Sequence, residues 1–225
     1  MNFLSIDTST KYSVVAICGK HGKVYGCRRL FEKGRADRLA ALIGECLKKS
    51  GLEISDVDYF AVGVGPGSFT GLRIGLSIIK GLSYALKKPC IVFSSLDSIA
   101  FNKAHYKKGR LCVIVDAKRL NVYSRSYGVK GAASKDALLS IPELLQKTGD
   151  STVFTGDAVD LYREAILTKV KDPVFLAQRF WYPTPESVAK LTLESFKSKK
   201  IVDCFKLLPT YLYPHDCQVS STLKH

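Results

Sequence analysis

Apolar positions in the first thirty residues fall into three short runs, Phe3 to Asp7, Ser13 to Cys18 and Lys23 to Leu30. Thr8-Ser9-Thr10 and Gly19-Lys20-His21-Gly22 separate them. Short runs broken by turn-forming residues predict a three-strand meander. The period then becomes that of a helix: Leu39, Leu42, Ile43, Cys46 and Leu47 share one face, and Gly51 follows Ser50 as a stop. Tyr59 to Val64 is an apolar run entering Gly65-Pro66-Gly67, which predicts a buried strand and a turn, with Ser68 capping a helix from Phe69 to about Leu86. Cys90 to Phe93 reads as another buried strand. Ser94 or Ser95 can then cap a helix through Leu96, Ile99 and Ala100 toward His105.

Lys103 to Arg110 is polar and basic and separates two apolar blocks, which divides the chain into a first lobe, 1–106, and a smaller second lobe, 107–225. The tail from about 208 is expected to return to the first lobe. Leu111 to Asp116, a turn at Ala117 to Leu120, and Asn121 to Tyr127 repeat the strand, terminal Asp, turn and strand of Leu4 to Ile17, so Asp7 and Asp116 hold matching places. Ser140 with Pro142 opens a short helix and Ser151 to Thr155 a strand. Thr184 with Pro185 opens a helix through Val188, Leu191 and Leu193 to Phe196. The pattern is mixed α/β, and no low-complexity linker separates the lobes, which should pack together.

Composition narrows the class. With 225 residues, 46% hydrophobic and 24% charged, the chain can bury a sizeable core, which excludes wholesale disorder. No apolar run is long enough to span a membrane, and Met1-Asn2-Phe3-Leu4 lacks the basic start of a secretory signal, so a cytoplasmic protein is expected. Seven scattered cysteines without a Cys-x-x-Cys pair read as reduced, mostly buried thiols. The formal charge of +14 is diffuse along the chain and favours an acidic partner such as RNA, with Arg28, Arg29, Arg35, Lys107, Lys108 and Lys118 as candidate phosphate contacts.

The most specific segment is Gly65 to Leu76. Gly71, Gly75 and Gly81 each cost about 1 kcal/mol relative to alanine inside a helix, so close backbone approach must offset them. A phosphate-cradling turn is one reading, but neither Gly-x-Gly-x-x-Gly nor a P-loop pattern is present. Gly67, Gly71 and Gly75, four apart, instead form a smooth stripe suited to a second helix, either of a partner molecule or of the same chain.

This run resembles the TsaB (YeaZ-type) family of the machinery that makes threonylcarbamoyladenosine in tRNA. The likeness extends to Leu4-Ser5-Ile6-Asp7-Thr8-Ser9-Thr10, Lys80-Gly81-Leu82, Ser94-Ser95-Leu96, Val115-Asp116-Ala117 with Val122-Tyr123, and Tyr211-Leu212. It implies a two-lobed actin/hexokinase/Hsp70-like (ASKHA) α/β fold with RNase H-like lobes. It also implies a subunit without catalytic residues, cofactor or metal of its own, bound to a TsaD-like paralogue alongside a TsaE-like ATPase, self-pairing when alone and meeting tRNA only indirectly or weakly. The expected partner surface is Leu39, Leu42, Ile43, Phe69, Gly71, Leu72, Gly75 and Ile78. Two departures from the family pattern are Ala36-Asp37 in place of a His-Ser pair, and Tyr213 in place of an Arg after Tyr-Leu.

A degenerate nucleotide cleft would hold Asp7, Thr8, Ser9 and Asp116. In related ATPases paired hairpin acids hold metal-bound phosphate, but here the second hairpin reads Asp116-Ala117-Lys118 and Gly156-Asp157 stands where a double glycine is expected. Asp7 alternatively caps its own turn. Other chemistries have weaker support. His21, His105, His215 and His225 include no His-x-x-x-His pair for a peptidase metal, and His215-Asp216-Cys217 is too local for a catalytic pair. Ser68 lacks the Gly-x-Ser-x-Gly elbow and reads as an N-cap. A nuclease would need further carboxylates, such as Asp97, Asp157 and Asp160, to converge on metals.

Overall fold

The computed structural model describes residues 1–19, 22–30, 35–103, 109–128 and 133–213, without the side chains of 35–37 and 103. Strands β1 (Asn2–Asp7), β2 (Tyr12–Gly19) and β3 (Val24–Leu30) form the expected antiparallel meander. Helix α1 (Arg35–Ser50) follows, then β4 (Tyr59–Gly63) beside β1, helix α2 (Phe69–Leu86), and β5 (Cys90–Phe93) beside β4, both parallel additions. Helix α3 (Ser95–Ala100), capped by Ser94, ends well before His105 and passes into a 3-10 turn at Phe101–Lys103. His105 lies outside the described residues.

The second sheet repeats the plan. Antiparallel β6 (Leu111–Lys118), β7 (Asn121–Tyr127) and β8 (Ala137–Ser140) are followed by α4 (Ile141–Lys147), then β9 (Val153–Thr155) parallel to β6, α5 (Val159–Lys169) and β10 (Val174–Phe175). Both sheets place the first strand of the meander against the next parallel strand, so the orders β3-β2-β1-β4-β5 and β8-β7-β6-β9-β10 correspond. The echo between Asp7 and Asp116 is therefore a repeat of topology.

Helix α6 (Pro185–Lys197) and strand β11 (Ile201–Val202) correct the boundary read from sequence. Assigned there to the second lobe, they belong with the first sheet: β11 pairs antiparallel with β5, and α6 packs across β1, β2, β3 and β5. The chain thus returns long before residue 208. The physical reason is burial. One face of the first sheet puts Leu4, Ile6, Val15 and Ile17 against α1 and α2, and the other, with Phe3, Val14 and Ala16, needs Val188, Ala189 and Leu191 of α6 to cover it. The lobes meet through α3, whose Leu96 and Ile99 pack on Leu111, Val113 and Val115 of β6.

Candidate functional site

Between the lobes lies a cleft of about 870 Å³. Ser9, Thr10 and Lys11 line it from the first hairpin, Asp116 to Arg119 from the second, and Tyr211 to Tyr213 from the returning segment. Tyr213, at the position where the family resemblance leads one to expect an arginine, links two of these segments: its hydroxyl donates to the Ala117 carbonyl at 2.8 Å.

Of the four residues expected here, Ser9 and Asp116 line the cleft, while Asp7 and Thr8 do not. Asp7 is fully buried and turned into the first lobe, where its Oδ1 accepts from the Ser9 N–H (2.9 Å) and Ser9 hydroxyl (2.6 Å) and its Oδ2 from the Ser98 hydroxyl (3.1 Å). It caps its own turn, and burial raises its pKa despite those hydrogen bonds. Gly63 makes room for it, since a Cβ there would overlap Asp7 Oδ2 and lie 2.7 Å from Ser95 Oγ. Thr8 donates its hydroxyl to the Gly71 carbonyl (2.8 Å).

Asp116 meets Lys118 Nζ at 2.5 Å, and its N–H donates to Asp157 Oδ1 at 3.0 Å. Burial raises the Asp157 pKa, so this acid sits in surroundings that disfavour its charge. Among the described residues no cluster of three or more His, Cys, Asp or Glu is placed to hold a metal. All four histidines and Cys217 lie outside the described residues. Ser68 is an N-cap, its hydroxyl accepting from the Gly71 N–H at 3.2 Å.

The glycine stripe has a different neighbour from the expected one. A Cβ at Gly71 would overlap the Thr8 carbonyl oxygen, one at Gly75 would overlap the Thr8 hydroxyl, and one at Gly67 would come within 2.5 Å of the Ser9 carbonyl oxygen. These glycines seat α2 on the first hairpin turn of the same chain. Of the other expected partner-surface residues, Leu39, Leu42, Ile43 and Leu72 are buried in the core, because the helical periodicity that picked them out marks the inward face. Phe69 is exposed and Ile78 half-buried. The outward face of the neighbouring helices instead presents Ala41 and Gly44 on α1 and Ser77, Gly81 and Ala85 on α2. Space above Gly44 and Gly81 is open.

The three candidate phosphate contacts with described side chains each have a partner within the chain. Arg28 stacks on the Tyr12 ring, Arg29 pairs with Glu45 at 3.2 Å, and Lys118 pairs with Asp116. Arg35 has no described side chain, and Lys107 and Lys108 lie outside the described residues, as do the side chains of Ala36 and Asp37. Sequence reasoning missed Lys11, Tyr123 and Tyr213 of the cleft wall, since only the meeting of three distant segments assembles them. Among the described residues no helix is long and apolar enough to cross a membrane.

Known proteins share this arrangement. A family model described as "TsaD: tRNA N6-adenosine threonylcarbamoyltransferase" matches residues 29–191. The tRNA threonylcarbamoyladenosine biosynthesis protein TsaB of Escherichia coli is 31% identical over 227 residues, covering 94% of each chain, and that of Bacillus subtilis is 27% identical over 220 residues with the same coverage. A crystal structure of an uncharacterized Pseudomonas aeruginosa protein with similarity to peptidase YEAZ superposes with TM-score 0.79 at 25% identity, covering 94% of this chain and 99% of that one. The ADPNP-bound activator of 2-hydroxyisocaproyl-CoA dehydratase from Clostridium difficile shares the fold alone, at TM-score 0.54 and 9% identity over 89% of this chain and 96% of that one. The two matching sheets, the cleft between them and full-length relatives together show that this chain belongs to the TsaB (YeaZ-type) family, with the two-lobed ASKHA fold.

Proposed function

We infer that the chain is a non-catalytic subunit in the formation of threonylcarbamoyladenosine in tRNA, supporting a TsaD-like paralogue that performs the transfer, with a TsaE-like ATPase in the larger assembly. The observation that carries this reading is the state of the hairpin acids. A phosphate-handling cleft needs carboxylates free to hold a metal, whereas Asp7 is tied into its own turn and Asp116 is neutralised by Lys118. Membership of the family supplies the biosynthetic setting.

The docking face is the outward side of α1 and α2, where Gly44, Ser77 and Gly81 let a second helix approach and half-buried Ile74 and Ile78 supply apolar area. Alone, the same face pairs with a second copy. Gly81→Leu tests it, because the open space above Gly81 accepts the side chain without disturbing the fold. A pull-down against the paralogue should show affinity at least about tenfold weaker, in line with a disrupted interface centre. Undiminished affinity with an intact circular dichroism spectrum would remove this face from the reading.

A further inference from the structure

Charge is less evenly spread in space than along the chain. Residues 59–96 carry Arg73, Lys80, Lys87 and Lys88 and no Asp or Glu, and residues 197–213 carry four lysines against Asp203 alone. These segments lie side by side, because β11 pairs with β5, with Val202 opposite Cys90, and the 3-10 turn at Cys204–Lys206 packs on α2. Four cations on one segment and four less one anion on the other make +7, half of the formal +14. Among the described residues none of these lysines forms a salt bridge. Asp203 is occupied as a cap, its Oδ1 accepting from the Phe205 N–H at 2.8 Å.

Aromatic rings lie along the same surface in two pairs. At the start of α2 the Phe69 and Tyr211 rings pack 5.0 Å apart, with the Arg73 guanidinium 3.8 Å from the Phe69 ring centre. At its end Tyr84 meets Phe205 edge-on at 5.7 Å. Phe69, Tyr84 and Phe205 remain 53%, 67% and 72% exposed. Helical spacing sets Phe69, Arg73, Lys80 and Tyr84 on one stripe, its ends about 22 Å apart.

An acidic protein would answer the charge but gives no reason for exposed aromatic side chains at both ends of the stripe. An apolar protein would answer the rings but meet a field of unpaired lysines. Unpaired nucleotides answer both, with phosphates for the cations and base faces for the rings. We propose that the outer stripe of α2, together with the returning segment 197–213, is a binding track for an unpaired segment of RNA. The track follows from charge and ring exposure alone; it adjoins the docking face on α2, since Ser77 lies between Arg73 and Lys80 on the same outer stripe.

Fluorescence anisotropy of the full chain, with a labelled unstructured RNA of about 12 nucleotides, tests it directly. Tyr84→Ala with Phe205→Ala, both at exposed positions, should weaken binding by at least about fivefold for each ring that stacks on a base. Lys87→Gln with Lys206→Gln should reduce the slope of log affinity against log salt by about 0.7 for each phosphate that a lysine no longer neutralises. Single-stranded RNA should compete better than the same sequence as a duplex, and better than poly-glutamate. Wild-type affinity in the ring variant, an unchanged salt slope in the lysine variant, or displacement by poly-glutamate as effective as by RNA would each overturn the track, the last in favour of an acidic protein. Should the ring variant lose its fold, the lysine variant and the competition decide the matter.

Discussion

Asp7 shows how a single residue can look functional in sequence and be structural in place. Its carboxylate is enclosed by three hydroxyl or N–H donors from Ser9 and Ser98, yet burial still raises its pKa above the unfolded value near 3.9. Between those two values the unfolded chain has released the proton and the folded chain keeps it. The stability from this group is therefore full at the acid end and declines as pH rises to the folded pKa. Urea unfolding of the wild type and of Asp7→Asn across the acid-to-neutral range should show the wild type losing ground steadily to the variant and levelling off above the folded pKa. A difference that grew in favour of the wild type with rising pH would contradict the burial argument. Asp136 and Asp157 shift in the same direction for the same first cause, but they are present in both proteins and cancel in the difference.

Helix α2 carries two kinds of glycine that sequence spacing cannot tell apart. Gly71 and Gly75 face the Thr8–Ser9 turn with no room for a methyl group, whereas Gly81 faces open space on the same helix. Alanine should then act with opposite signs. Gly71→Ala forces the helix off Thr8 and should cost roughly 2–3 kcal/mol through overpacking. Gly81→Ala fills nothing and should stabilise by up to about 1 kcal/mol through helix propensity. Chemical denaturation midpoints of the two variants against wild type check both at once, and equal effects would mean that the glycines share one environment. Element boundaries were otherwise readable wherever a cap declared them. Ser68 before α2, Ser140 with its capping box before α4, and Thr184 with Pro185 before α6 all begin their helices as expected. Helix α5 went unread because its inward face is thin, with only Val159 and Ile166 buried, so the apolar period is weak.

At the scale of the whole molecule, the lobes are joined by more than apolar packing. Arg125 on β7 meets Asp97 of α3 at 3.3 Å and Asp136 at 3.1 Å, while the Tyr127 hydroxyl donates to Asp97 at 2.7 Å. The group is largely enclosed, so removing the cation strands two carboxylates. Arg125→Met should lower stability by roughly 1–3 kcal/mol, discounted for the partial exposure of the pair. Adding Asp136→Asn should recover part of that loss in a double-mutant cycle. Additive losses would show that the charges do not act as a unit. Sequence by itself determined the element order as far as α3, the helices α4 and α6, the repeated meander and the family, because these rest on local periodicity, caps and turn residues that neighbouring side chains dictate. Which glycines are enclosed, which acids reach the cleft, where α6 and β11 settle, and how scattered lysines gather beside exposed rings were decided only by tertiary structure. The glycines meet a turn some sixty positions away and β11 meets a strand more than a hundred positions away, and one strand's own pattern carries no record of the face laid against it.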